Sequence, residues 1–380
     1  MKKSMIILVS MLSFLLILCG KKRSTPVVEK KEGIEIVHNS DKPLFPDRTI
    51  EFIQDLSIGE EEGKINLYKP RKILVDKQGN IYVSDAADLS IKVFNKNGTY
   101  LFSIGKKGSG PGEFQVIGSM KFLPDNNLVV LDWQLRRVSF FTIRGKFLQS
   151  FQMKNNLSGI FLTTDSTITC RENIYSENKK LYIKSFDFDG NEKLLWGEFK
   201  PPEFKMLKSG NTMFGINVPY LPCSIFTGDE KNGWLYHCLN SNYLIEVFDK
   251  KGKLFRKIEK SYKPVPVTSA DKEEYIKAFK DNPNKVFVKM AREVKLPRVK
   301  TITEYMIVDE KGNLWVETME MKKKEGKEFY AYDIFNTKGF YIMRIWLHTT
   351  PGVFAGGYMY SIVRDKSGVA SVIRYRMKEV

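Results

Sequence analysis

Lys72-Ile-Leu-Val-Asp-Lys-Gln-Gly-Asn-Ile-Tyr-Val-Ser-Asp85, followed by Ser90-Ile-Lys-Val-Phe-Asn-Lys-Asn-Gly-Thr-Tyr-Leu-Phe-Ser-Ile-Gly105, consists of four short apolar runs parted by polar turns. Apolar side chains alternate along the runs as they do in strands. Asp76-Lys-Gln-Gly-Asn80 and Asn95-Lys-Asn-Gly98 supply the positive-φ positions that tight hairpins need. The unit reads as a four-stranded antiparallel sheet.

The pattern recurs at intervals of a few tens of residues, the mark of a repeat architecture. A second copy runs from Met120 to Asp132 and from Arg137 to Phe151. Fainter copies follow at 161–170 with the turn Asp187-Phe-Asp-Gly190, at 224–238 with Asp249-Lys-Lys-Gly252, and at 305–317 with Asn336-Thr-Lys-Gly339. A last copy begins at Gly357, turns at Asp365-Lys-Ser-Gly368 and stops one strand short. A sheet left open there would be an aggregation hazard. Residues 51–59 match the fourth strand of the first copy, 99–105, and are expected to complete the last sheet beside 369–377. The expected fold is therefore all-β: a six-bladed β-propeller of four-stranded antiparallel blades, closed by an N-terminal strand, spanning 49–380.

The phrases Asp-x-x-Gly-Asn-Ile-Tyr-Val-Ser-Asp and Ile-Lys-Val-Phe-Asn-x-x-Gly, with Gly105-Lys-Lys-Gly-Ser-Gly-Pro-Gly-Glu-Phe114 after them, resemble the NHL repeat. As a whole the chain resembles bacterial six-bladed propeller lipoproteins of NHL type. The resemblance implies a rigid platform whose loops converge on one face. It also implies that an Asp at the end of the second strand commonly ties down its own blade's loop.

One link departs from the repeat, a helical insertion at 261–300 between blades 4 and 5. Thr268-Ser-Ala-Asp271 offers a capping-box-like start before 273–279, and 285–294 is a second helical candidate. The insertion reads either as a lid or partner platform or as an ornament covering a blade edge.

The N-terminus carries a charged start, Met1-Lys2-Lys3-Ser4, and an apolar run from Met5 to Leu18, too short to span a bilayer comfortably. Residues 1–18 read as a signal peptide. Leu16-Ile17-Leu18-Cys19 resembles a bacterial lipobox, with Leu18 where a small residue is usual. Cys19 is the expected lipidation site; ordinary secretion and an uncleaved anchor are the alternatives, and all three place the body outside the cytoplasm. Residues 19–48, rich in Lys, Glu, Ser, Pro and Val, read as a flexible tether. The expected location is the periplasm or the cell surface, membrane-bound through the lipid.

The chain has 380 residues and a formal net charge of +17, which fits anionic partners without naming one. Three histidines, His38, His237 and His348, lie far apart and argue against a His-ligated zinc centre. Nucleic acid is not an expected partner, given the export signal and basic runs such as Lys322-Lys-Lys324 without interleaved aromatics.

Aligned copies place Asp85, Asp132, Glu172, Cys238 and Thr318 at the end of the second strand, on the face where the blade-to-blade links lie. Acidic residues there read either as a ring binding a cation or as repeated structural ties. Calcium is conceivable from Asp132, Glu172 and Asn240, although no cofactor is called for. Arg71, Arg136, Arg137, Arg298 and Lys300, with Trp133, Tyr220 and His237, compose a candidate basic and aromatic mouth for a small anionic or glycan ligand. Cys223 and Cys238 flank one hairpin and are candidates for a disulfide. The sequence thus points to a monomeric cell-envelope binding or scaffold module that engages a protein, a glycan or a small anion. The competing reading is a metal-dependent lyase or lactone hydrolase at the channel mouth.

Overall fold

A computed structural model describes residues 25–59, 66–174, 179–209, 212–280, 282 and 284–380; the signal segment 1–18 and Cys19 lie outside the described residues. Three strands precede the first blade: β1 (Val27–Lys31), β2 (Ile34–Asn39) and β3 (Ile50–Ile58). Blade 1 comprises β4 (Pro70–Val75), β5 (Ile81–Asp85), β6 (Ser90–Phe94) and β7 (Tyr100–Ile104). Blade 2 comprises β8 (Ser119–Phe122), β9 (Leu128–Asp132), β10 (Arg137–Phe141) and β11 (Phe147–Gln152). Blade 3 holds β12 (Asn156–Thr163), β13 (Thr167–Ile174), β14 (Lys180–Asp187) and β15 (Glu192–Phe199). An extra hairpin, β16 (Phe204–Ser209) and β17 (Thr212–Asn217), leads into blade 4: β18 (Ser224–Asp229), β19 (Trp234–Leu239), β20 (Leu244–Phe248) and β21 (Leu254–Lys260). Helices α1 (Ser269–Lys277) and α2 (Lys285–Glu293) follow. Blade 5 is β22 (Met306–Val308), β23 (Leu314–Lys324), β24 (Lys327–Phe335) and β25 (Tyr341–Leu347). Blade 6 is β26 (Val353–Ala355), β27 (Tyr358–Arg364) and β28 (Ala370–Glu379), completed by β3.

Closure is antiparallel, with Val372 opposite Ile58 and Glu379 opposite Ile50, and the Thr49 and Val380 backbones exchange two further hydrogen bonds. The inner strand of blade 6, β26, is only three residues long, too short for its alternation to be read from sequence. The turns repeat one device. Asp76 accepts hydrogen bonds from the Gln78 and Asn80 backbone N–H groups while Gly79 adopts φ +84°, and Asp309 does the same for Lys311 and Asn313. A short acceptor side chain and a residue at ease in the left-handed region make these turns local.

The core is divided among the seams. Each pair of neighbouring blades encloses its own apolar cluster, such as Ile91 and Val93 with Leu128 and Val130 between blades 1 and 2. Blades are covered on both faces, so a middle strand such as β5 is buried at every position.

Part of the expected tether is structured. β1 and β2 form a hairpin, and β2 pairs in parallel with the outer strand of blade 4, extending that sheet to six strands. Val37 is buried in this junction, and Arg256 donates to the Glu35 carboxylate at 2.9 and 2.7 Å. The Lys and Glu content that suggests a solvated segment lies on the outward side of an edge hairpin.

The insertion at 261–300 is helical. Thr268 caps α1 reciprocally with Asp271, and α2 buries Met290 and Ala291 against Ile216 and Val218. No helix among the described residues is long and apolar enough to cross a membrane.

Candidate functional site

The first strand of every blade starts, and the second ends, on the link face, so side chains at these positions surround one mouth of the channel. Asp85 is fully buried there. Its carboxylate accepts from the backbone N–H groups of Tyr68 (2.8 Å), Lys69 (2.9 Å) and Ala87 (3.0 Å) and from the Lys92 ammonium (3.1 Å). Burial acts to raise its pKa, but these donors outweigh burial and hold it below the ordinary value. Asp132 repeats the arrangement with Gln115 (2.7 Å), Val116 (3.0 Å) and Leu135 (2.9 Å). Glu172 accepts from the Asn155 side chain at 3.1 Å and pairs with Lys184 at 2.9 Å. In blade 4 the tie is Asn240, whose side-chain oxygen accepts from the Cys223 N–H at 2.8 Å. Each of these groups clasps its own blade to the incoming link or the neighbouring strand.

Asp132, Glu172 and Asn240 stand on three blades and are each engaged in a clasp, and no three His, Cys, Asp or Glu side chains converge among the described residues. His237 is not at the mouth. It lies in mid-strand, buried between the rings of Phe199 (4.6 Å) and Phe226 (4.9 Å), with Glu246 at 3.0 Å and Ser224 at 3.1 Å on its two nitrogens. The disulfide does not form either. Cys238 pairs with Ile225 and Cys223 lies opposite Asn240, a two-residue offset that leaves both thiols free.

The basic and aromatic candidates separate into two groups. Trp133, 47% exposed, and Arg136, held at φ +50°, flank one turn of blade 2, and Arg71 is exposed on the inner strand of blade 1. Arg137 lies beneath this turn, donating to the Ser109 carbonyl at 2.9 Å and the Glu113 carbonyl at 2.5 Å. Tyr220, on the link between β17 and β18, reaches the insertion. Its hydroxyl donates to Asp271 at 3.4 Å, and its ring lies 5.3 Å from the Lys300 ammonium, which itself pairs with Asp271 at 2.6 Å. Arg298 is exposed at the return of the insertion. No hydrogen bond or ion pair joins the two groups among the described residues.

What the mouth does bring together is a pair of carboxylates, Glu304 and Glu317. Glu304 precedes the inner strand of blade 5; water reaches it, yet protein surrounds it closely enough for burial to raise its pKa. Among the described residues its carboxylate has no hydrogen-bond or ion-pair partner. Glu317 is half-buried and accepts from the Tyr332 hydroxyl. Burial raises its pKa, the Tyr332 hydroxyl opposes this, and the charge of Glu304 adds to it. Glu304 also raises the neighbouring Tyr220, pushed up to about 12 mainly by burial, and the Cys223 thiol, again after burial. Tyr305 closes the side, its hydroxyl donating to the Pro351 carbonyl at 2.6 Å. The arrangement joins two acids of heightened proton affinity to the half-buried ring of Tyr220, with Tyr332 and Tyr305 packed in the seam behind them. It can accept hydrogen bonds from, or exchange protons with, a hydroxyl-bearing ligand. The trace of this site in the sequence is slight: Glu317 stands one residue before the aligned Thr318, and Glu304 just ahead of the copy at Tyr305.

A profile of a family described as a 6-bladed beta-propeller matches residues 60–155. Among solved structures, a member of the duf4221 family from Bacteroides vulgatus superposes with a TM-score of 0.52 at 11% identity, over 87% of this chain and 98% of that one. A Bacteroides fragilis protein described as exported gives a TM-score of 0.47 at 13% identity, over 90% and 99% of the two chains. A catalytically inactive virginiamycin B lyase from Staphylococcus aureus gives 0.45 at 10% identity, over 87% and 99%. No curated protein matches the chain. Strand order, seam cores and closure by β3, together with the matching family profile, establish that the chain is a six-bladed β-propeller.

Proposed function

We propose that this chain is an exported, NHL-type propeller, lipid-anchored at Cys19, that serves the cell envelope as a binding module. Its ligand is a hydroxyl-rich, glycan-type molecule held at the link-face mouth. The carrying observation is the convergence of Glu304 and Glu317 with Tyr305, Tyr332 and Tyr220. Carboxylates accept hydroxyl donors, the half-buried Tyr220 ring offers a face to a sugar, and two neighbouring carboxylates disfavour the small anion that the basic candidates suggest. The clasping residues Asp85, Asp132 and Glu172 then act as scaffold.

Calorimetric titration of the mature protein with a panel of envelope oligosaccharides tests this reading. Glu304→Gln and Glu317→Gln should each weaken binding about tenfold, the equivalent of one hydrogen bond to a charged acceptor. Equal affinity in both variants would refute the assignment. The mass of the N-terminal peptide tests the anchor separately, since lipidation adds an acyl adduct at Cys19.

A further inference from the structure

The helical insertion presents a second chemistry, unrelated to the mouth. Lys285, Lys289 and Arg292 recur at i, i+4 and i+7 along α2 and so share one face. The opposite face is fixed by Met290, Ala291 and Val294, buried against Ile216 and Val218. The basic face is therefore held outward. With Lys280 from the turn after α1, these three cations rim a shallow cavity of about 500 Å³ in which Glu293 is the one carboxylate among the described residues. None of the four cations has an ion pair among the described residues.

The path of the N-terminus indicates what this cup meets. β2 runs parallel to β21, and the Asn39 carbonyl accepts from the Ser261 N–H where the insertion begins. β1 runs back antiparallel, with Val27 opposite His38, so Val27 lies at the same end of blade 4 from which the insertion departs. Val27 is eight positions after Cys19, a reach of at most roughly 28 Å, and Lys21, Lys22 and Arg23 lie on the way. An acyl chain at Cys19 would thus bring the bilayer to the corner that carries the cup.

We infer that the basic cup of the insertion rests on anionic lipid headgroups, so that the propeller is docked on the membrane at its blade 4 corner rather than swinging on a long tether. The orientation rests on the lipid-anchor reading given above; the affinity of the cup for headgroups does not. A basic amphipathic helix beside an anchored segment is a recognised way to add electrostatic to hydrophobic attachment.

The test uses the full chain carrying Cys19→Ala, so that no acyl chain contributes, in co-sedimentation with vesicles of phosphatidylcholine with and without phosphatidylglycerol. The expected result is binding to the anionic vesicles only, lost at high salt. Neutralising all three in Lys285→Gln/Lys289→Gln/Arg292→Gln should weaken it on the order of 100-fold, about fivefold per cation, and reversing them in Lys285→Glu/Lys289→Glu/Arg292→Glu should weaken it further. The milder glutamine variant, with an unchanged melting temperature, guards against misfolding. Equal binding to neutral vesicles, undiminished binding by both triple variants, or displacement by millimolar inorganic phosphate would each overturn the inference, the last by revealing a small-anion site. An unmodified Cys19 in the native chain would instead remove the anchor reading and leave the vesicle result standing.

Discussion

In blades 1 and 2 the carboxylates that end the second strand are enclosed by backbone N–H groups of the incoming link, and Asp85 has an ammonium as well. In blade 5 that place is held by Thr318, and the nearby Glu317 and Glu304 are held by no such clasp. The same face of the same repeat is thus satisfied on one side of the ring and open on the other. Blades that follow the pattern hold the ring together, and the blade that departs from it has charge to offer a ligand.

The largest expected effect comes from breaking the satisfied side. Asp85→Ala removes the acceptor of three backbone N–H groups and one partner of Lys92, which keeps Asp88 and the Asn66 carbonyl, and should cost about 2–3 kcal/mol, with Asp132→Ala somewhat less at about 2 kcal/mol, read as lowered urea midpoints. Ligand affinity of the folded fraction should stay unchanged. A loss of affinity at full stability would reverse the roles given to the two regions.

The open side should respond in the opposite sense. A carboxyl whose pKa is raised by folding destabilises the protein as pH rises from the unfolded pKa through the folded one. Glu317→Gln should therefore raise the melting temperature near pH 7 and leave it unchanged near pH 4, where folded and unfolded states both hold the proton. The gain should not exceed about 1 kcal/mol, since the site is partly open to water. A gain of equal size at both pH values would show that the carboxyl is not perturbed.

The smallest effect concerns the N-terminal hairpin. Glu35→Ala removes one partly exposed pairing with Arg256 and should cost about 0.5–1 kcal/mol. Hydrogen exchange should show the β1 and β2 amides opening sooner while those of β20 keep their protection.

Local devices made the ring legible. An Asx side chain, a glycine and flanking alternation lie within a few residues of one another, so the turns at Asp76, Asn95 and Asp309 disclose their blades. The clasping Asp85 and Asp132 were visible for the same reason, as repeated residues in repeated places. What escaped depends on distance in the chain. The β1–β2 hairpin is completed by a strand some 220 positions later, at Arg256, and its exposed lysines mask the alternation of Ile34, Ile36 and the neighbouring valine. The raised proton affinity of Glu304 arises from surroundings supplied by other blades. The pairing of Cys223 with Cys238 failed on an offset of two residues, which spacing along a hairpin does not resolve.

Ring closure also imposes a timetable. During synthesis β2 and β3 are made long before their partners, Leu254–Lys260 and Ala370–Glu379. Until then both early strands keep an unpaired edge, and the seam between blades 6 and 1 is absent. During that interval the chain carries exposed strand edges and an unfilled seam, so it gains from shielding against its neighbours until the ring closes.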